Sequence, residues 1–133
     1  MIKSDFLKMV KKNEKSVICL DFDGVIYKNS KGFADGTLYD DPIEGALESL
    51  EFLYDNGYEL IIHSCKCNPE RPLVGGLNGK ELIRKWLVKH NISHAIVDIV
   101  HVKPNALIYI DDKGIRFENW SDTIDQLKKL KLL

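Results

Sequence analysis

The sequence predicts an α/β fold, a single Rossmann-like domain with an open, mostly parallel sheet and helices on both of its faces. Three observations carry that expectation. The first apolar run, VICLDF at 17–22, is continuous rather than alternating, as suits a central strand covered on both sides. Between it and the later strand-like runs lie stretches whose apolar residues recur at helical spacing, with start and stop residues in place. In order, the main elements run strand, helix, strand, helix, strand, strand, helix, the pattern of a layered α/β sheet. No repeat, low-complexity tract or linker divides the 133 residues, so 1–133 is expected to form one domain.

Each element has its own local reason. A short helix is expected over 4–15, where Phe6, Leu7, Met9 and Val10 offer a partial apolar face. After the first strand, the polar stretch 27–40 carries turn chemistry at Gly32 and at Asp35-Gly36, and reads as a short hairpin or flap. The clearest helix is DPIEGALESLEFLYDNG, 41–57. Asp41 is its expected cap, Pro42 suits the first turn, Glu44 completes a capping-box pattern and Gly57 stops it. YELIIHS reads as the second strand. NGKELIRKWLVKHN, 78–91, repeats the helix grammar with Asn78, Glu81 and a face of Leu82, Ile83, Trp86 and Leu87. AIVDIV and ALIYI are the third and fourth strands. SDTIDQLKKLKLL, 121–133, closes as a helix capped by Ser121, with Lys128, Lys129 and Lys131 near its negative end.

Composition narrows the function classes. A net charge of -1 gives no general electrostatic drive toward nucleic acid or an anionic membrane. No apolar run approaches the roughly 20 residues of a membrane span, and the first residues hold none long enough for a signal peptide. Cys19, Cys65 and Cys67 are odd in number and do not suggest a disulfide framework, so a reducing cytoplasm is the expected compartment.

Polar residues gather where such folds bind ligands, beyond the carboxyl ends of parallel strands. Asp21 and Asp23 end strand one, Ser64 ends strand two, Lys103 precedes strand four, and Asp111 and Asp112 follow it. Two carboxylates so close together raise the energy of a site unless a cation, a proton or a positive side chain offsets them.

The segments DFDGVI, IIHS, VKPN and IYIDDKG, in that order, resemble the four motifs of the haloacid dehalogenase-like (HAD) hydrolase superfamily. The resemblance runs from residue 17 to about 120 and is strongest to small members with minimal or no cap. It implies a Mg2+-dependent phosphatase. Asp21 would be the nucleophile that forms an aspartyl-phosphate, and Asp23 the general acid and then base. Mg2+ would be the missing positive partner, held by the Asp21 carboxylate, the Asp23 backbone carbonyl and Asp111, with Asp112 in or near that shell. Ser64 would donate to the phosphoryl oxygens, and Lys103 would neutralise Asp21 and the transferring group. Gly24 would let the backbone turn beside the phosphate, and Phe22 would point into the core. Lys66 stands where many relatives carry arginine, a phosphate-side cation without a bidentate fork.

Two other readings share these residues. A receiver domain also uses an acidic pair, a phosphoacceptor, Ser or Thr and Lys, but places the acidic pair first and the lysine on its last strand. A catalytically idle relative would bind a phosphorylated ligand or partner. The expected partner is a phosphorylated substrate, a small molecule or a macromolecular phosphate. Nucleic acid enters only as such a substrate, no membrane is involved, and self-association is compatible with the sequence. His90, His94 and His101 suit surface or capping roles, and Trp86 and Trp120 suit packing. A soft-metal role for Cys65 and Cys67 lacks a second cluster. GGLNGKE lacks the first glycine and the hydroxyl residue of a phosphate loop.

Overall fold

Strand β1 (Val17–Asp21) lies between β2 (Glu59–His63) and β4 (Ile108–Ile110), with β3 (Ile96–Val100) beyond β2. The order is β3-β2-β1-β4 and every pairing is parallel. The structure, a computed structural model, describes residues 16–32 and 36–133. The helix expected over 4–15 and residues 33–35 of the flap lie outside them.

The three helices are α1 (Ala46–Asp55), α2 (Gly79–Lys89) and α3 (Trp120–Lys129). Ile18, Leu20, Leu60 and Ile62 project from one sheet face into a core shared with Leu50 of α1 and with Ile83, Trp86 and Leu87 of α2. Side chains alternate along a strand, so Cys19, Asp21 and His63 project from the other face. Residues 101–107, which connect β3 to β4, cross that face: the His101 carbonyl lies 3.2 Å from His63 Nε2. Right-handed crossovers explain the division. Steps β1 to β2 to β3 run one way along the sheet, whereas the return to β4 runs the other way.

Among the described residues, no helix is long and apolar enough to cross a membrane. Phe22 is fully buried and stacks on Tyr27 at 5.1 Å, with Trp86 edge-on to both. Burial of such a ring is worth ~1.5–3 kcal/mol, so the residue between the two aspartates anchors them to the core.

Several local expectations are corrected. The first long helix begins at Ala46, not near Asp41, and its cap position is Gly45 with no side-chain cap. The backbone of 41–43 is engaged elsewhere: Lys28 N–H donates to the Asp41 carbonyl, Ile43 N–H donates to the Ile26 carbonyl, and Pro42 bridges to Tyr27. That pairing closes the base of the flap, which Asp40 ties further by accepting from Ser30 N–H at 2.8 Å. The last helix is capped by Asn119, whose side chain accepts from Asp122 N–H, so Ser121 lies inside it. The helix stops at Lys129, short of the expected 133. Trp120 is 70 % exposed, touching Phe117 at the surface rather than packing inside. Asn78 and Glu81 do form their reciprocal capping box. Gly75 and Gly76, both at positive φ, turn a tight loop between the bridged Val74 and Leu77.

Candidate active site

The end of β1 folds straight into a tight turn. The Phe22 carbonyl accepts from the N–H groups of Ile26 and Tyr27, at 3.0 and 2.9 Å. Gly24 sits within this turn at φ 80°, where an L side chain is strained. A Cβ there would also strike the Asp112 carboxylate, so Gly24 makes room for that group. Asp21 Oδ1 accepts from Phe22 N–H at 2.9 Å, which fixes the carboxylate orientation.

From the neighbouring strand, Ser64 is buried and its N–H donates to the Val100 carbonyl. Its hydroxyl oxygen accepts from Lys66 N–H at 3.2 Å, capping a short 3-10 turn over Cys65–Cys67 and leaving the O–H to donate elsewhere. That turn brings Lys66 Nζ within 2.8 Å of Asp23 Oδ2. The other Asp23 oxygen, Oδ1, is buried and has no hydrogen-bond partner among the described residues. An unmet buried acceptor costs ~1–3 kcal/mol.

The two late aspartates differ in their contacts. Asp111 Oδ1 accepts from Gly114 N–H at 2.6 Å, closing the turn after β4. Asp112 is the one whose charge, with that of Asp23, reaches Asp21. Lys103 Nζ rests 4.2 Å from the centre of the Tyr109 ring, whose hydroxyl donates to the Pro104 carbonyl.

Asp21, Asp23, Gly24, Ser64, Lys103, Asp111 and Asp112 all line one cavity of about 750 Å³. It opens at the carboxyl edge of the sheet. Lys66 stands behind Asp23, outside the lining. Burial pushes the Asp21 carboxyl above its ordinary range; Asp112 and Asp23 push it further, while Phe22 N–H and His63 oppose the shift. Among the described residues, no group of three or more His, Cys, Asp or Glu side chains could hold a metal ion.

The cavity also holds Lys28 of the flap, a stretch whose lysines suit a part in specificity, and His63 and Lys113, which the sequence did not single out as site residues. For His63 the signal was available: strand alternation places it on the Asp21 face. Lys113 follows the acidic pair directly, and Lys28 begins the flap.

Fold and site together define an α/β domain with an acidic, lysine-bearing cavity at the carboxyl edge of a parallel sheet. No family model matches the chain, and no solved structure matches it. It is similar to adenosine 5'-phosphosulfate reductase of Staphylococcus haemolyticus (strain JCSC1435), at 27% identity over 108 residues. That match covers 79% of this chain and 35% of the staphylococcal protein, so the chain spans about a third of that relative.

Proposed function

We propose that the chain is a Mg2+-dependent phosphomonoester hydrolase of the HAD-like kind, acting through an aspartyl-phosphate on Asp21. The observation that carries this reading is the convergence of Asp21, Asp23, Ser64, Lys103 and Asp112 on one cavity, from segments far apart in sequence.

Each residue has a role its position supports. An Asp21 carboxylate oxygen attacks phosphorus, and the ester oxygen leaves with a proton from Asp23. Water then attacks the phosphorus of the aspartyl-phosphate, Asp23 takes its proton, and free phosphate departs with Asp21 restored. The Asp23 side chain lines the same cavity as Asp21, within which a general acid has to act. Ser64 donates its hydroxyl proton to a phosphoryl oxygen. Lys103 sets positive charge against the transferring group. Lys66, held on Asp23, acts as a positioning residue rather than as the phosphate-side cation.

The donor set fits Mg2+, which is commonly held by one or two carboxylates with water and substrate phosphate. Asp21 and Asp112 supply two mutually repelling carboxylates, and the Asp23 carbonyl a third oxygen. Asp111 lines the same cavity and keeps the ligand role the resemblance implies, since Gly114 N–H engages only its Oδ1. Bound there, Mg2+ would offset the carboxylate charge and polarise the phosphoryl group.

The thiols of Cys19 and Cys67 are poor nucleophiles. Burial pushes the Cys67 thiol up to about 11 and raises that of Cys19 as well. Activated thiols show the opposite shift.

Hydrolysis of p-nitrophenyl phosphate by wild type and Asp21→Asn, with and without Mg2+, tests the reading. Expected is metal-dependent turnover that the substitution abolishes while circular dichroism stays unchanged. No turnover across a broad panel of phosphate esters would favour a binding role instead.

A further inference from the structure

Beyond Asp23 the chain forms a second cavity, of about 270 Å³, which the hydrolytic roles leave unused. Leu38 walls it from the flap, Leu73 and Val74 from the loop after the Lys66 turn, and Leu82 and Ile83 from α2. Lys66 lines it too, while its ammonium reaches back to Asp23 in the first cavity. Asn29 of the first cavity and Gly36 and Lys66 of the second border a third, very small pocket.

The geometry points to this apolar cavity as the subsite for the leaving group of the phosphomonoester, an assignment that rests on the hydrolase reading. A general acid must face the oxygen that departs, so the departing group lies on the Asp23 side of the phosphorus. The Lys66–Asp23 pair marks that side, and the apolar walls begin directly behind it. The mostly apolar walls favour hydrocarbon or an aromatic ring, with Arg71 and Lys66 as the cationic members of the lining. Size narrows it further, because a cavity of about 150 Å³ accommodates a single benzene ring. Roughly twice that volume suits a fused bicyclic ring. The substrate class is therefore a monophosphate ester of an alcohol or phenol carrying one bulky apolar group.

Leu73 is the residue to change, because it lines the cavity yet is 63 % exposed and so contributes little to folding. Two measurements separate the subsite from the hydrolase reading. The first follows binding of 1-naphthol alone by fluorescence, which needs no turnover. The second compares kcat/KM for 1-naphthyl phosphate with that for ethyl phosphate. In Leu73→Asp, naphthol binding should be lost and the naphthyl-to-ethyl ratio should fall about tenfold, with ethyl phosphate unaffected. Leu73→Met should retain both properties. Absence of saturable naphthol binding to wild type, or a ratio unchanged by Leu73→Asp, would overturn the subsite. Naphthol binding without hydrolysis of either ester would overturn the hydrolase reading, and the leaving-group assignment with it.

Discussion

The ammonium of Lys66 lies 2.8 Å from the carboxylate of Asp23, a pair 43 residues apart in sequence. The pair occupies one oxygen of Asp23 and leaves the other buried and unpartnered. Lys66 is therefore read as the group that aims a general acid. Asp23→Asn should lower turnover of ethyl phosphate, whose poor leaving group needs a proton, by ~10²–10⁴-fold. The loss with p-nitrophenyl phosphate should be much smaller. Lys66→Met should show the same leaving-group dependence to a lesser degree, with partial rescue by Lys66→Arg. Equal losses on both esters would argue against the aiming role.

Gly24 and Gly45 share a positive φ but not their surroundings. A Cβ at Gly24 meets the Asp112 carboxylate, whereas one at Gly45 meets nothing within 4 Å. Gly45→Ala should cost only backbone strain, about 1 kcal/mol. Gly24→Ala should cost about 1 kcal/mol more in urea unfolding and should also abolish hydrolysis, because Asp112 is displaced.

Asp21 is raised by burial and then by the charges of Asp112 and Asp23. A carboxyl raised in the folded state favours folding when protonated, and that advantage is lost as pH rises through its folded value. At neutral pH the metal-free site is thus electrostatically strained. Asp21→Asn should raise the Tm of the metal-free protein by a few degrees, measured by calorimetry. Mg2+ should raise the Tm of wild type more than that of the variant.

Helix α2 depends on its reciprocal cap. Asn78→Ala removes the side-chain acceptor for Glu81 N–H, and chemical denaturation should show a loss of about 1 kcal/mol. Hydrolysis should change little, since Asn78 does not line the catalytic cavity.

The flap tether has a defined acid limit. Hydrogen bonds from the Ser30 hydroxyl and N–H hold the Asp40 carboxyl down at about 2, from an ordinary 3.8. Because the folded value is the lower one, the contribution is complete above the unfolded value and disappears as pH falls toward 2. The Ser30 amide resonance should therefore keep its shift at pH 4 and move only near pH 2.

The strands and the meeting of acidic residues were legible because both follow from local patterns: buried apolar runs and polar groups at strand ends. The start of α1 was not. Asp41, Pro42 and Glu44 form a convincing start signal, but the backbone of 41–43 pairs with 26–28, a contact local propensity does not encode. Asn119 and Ser121 are comparable caps two positions apart, and the structure uses the earlier one. The bond from Gly114 N–H to Asp111 was equally hidden, since it depends on the turn after β4. The Lys66–Asp23 pair required the curl of the chain at Cys65–Cys67.

Chemical trapping of Asp21 during turnover tests the account most directly. Protein quenched in acid with p-nitrophenyl phosphate and Mg2+ would be reduced with borohydride, which converts an aspartyl-phosphate to homoserine, and its peptides read by mass spectrometry. The account predicts homoserine at position 21 and at no other carboxylate. Sustained hydrolysis with Asp21 unmodified, or with the label on another residue, would contradict it.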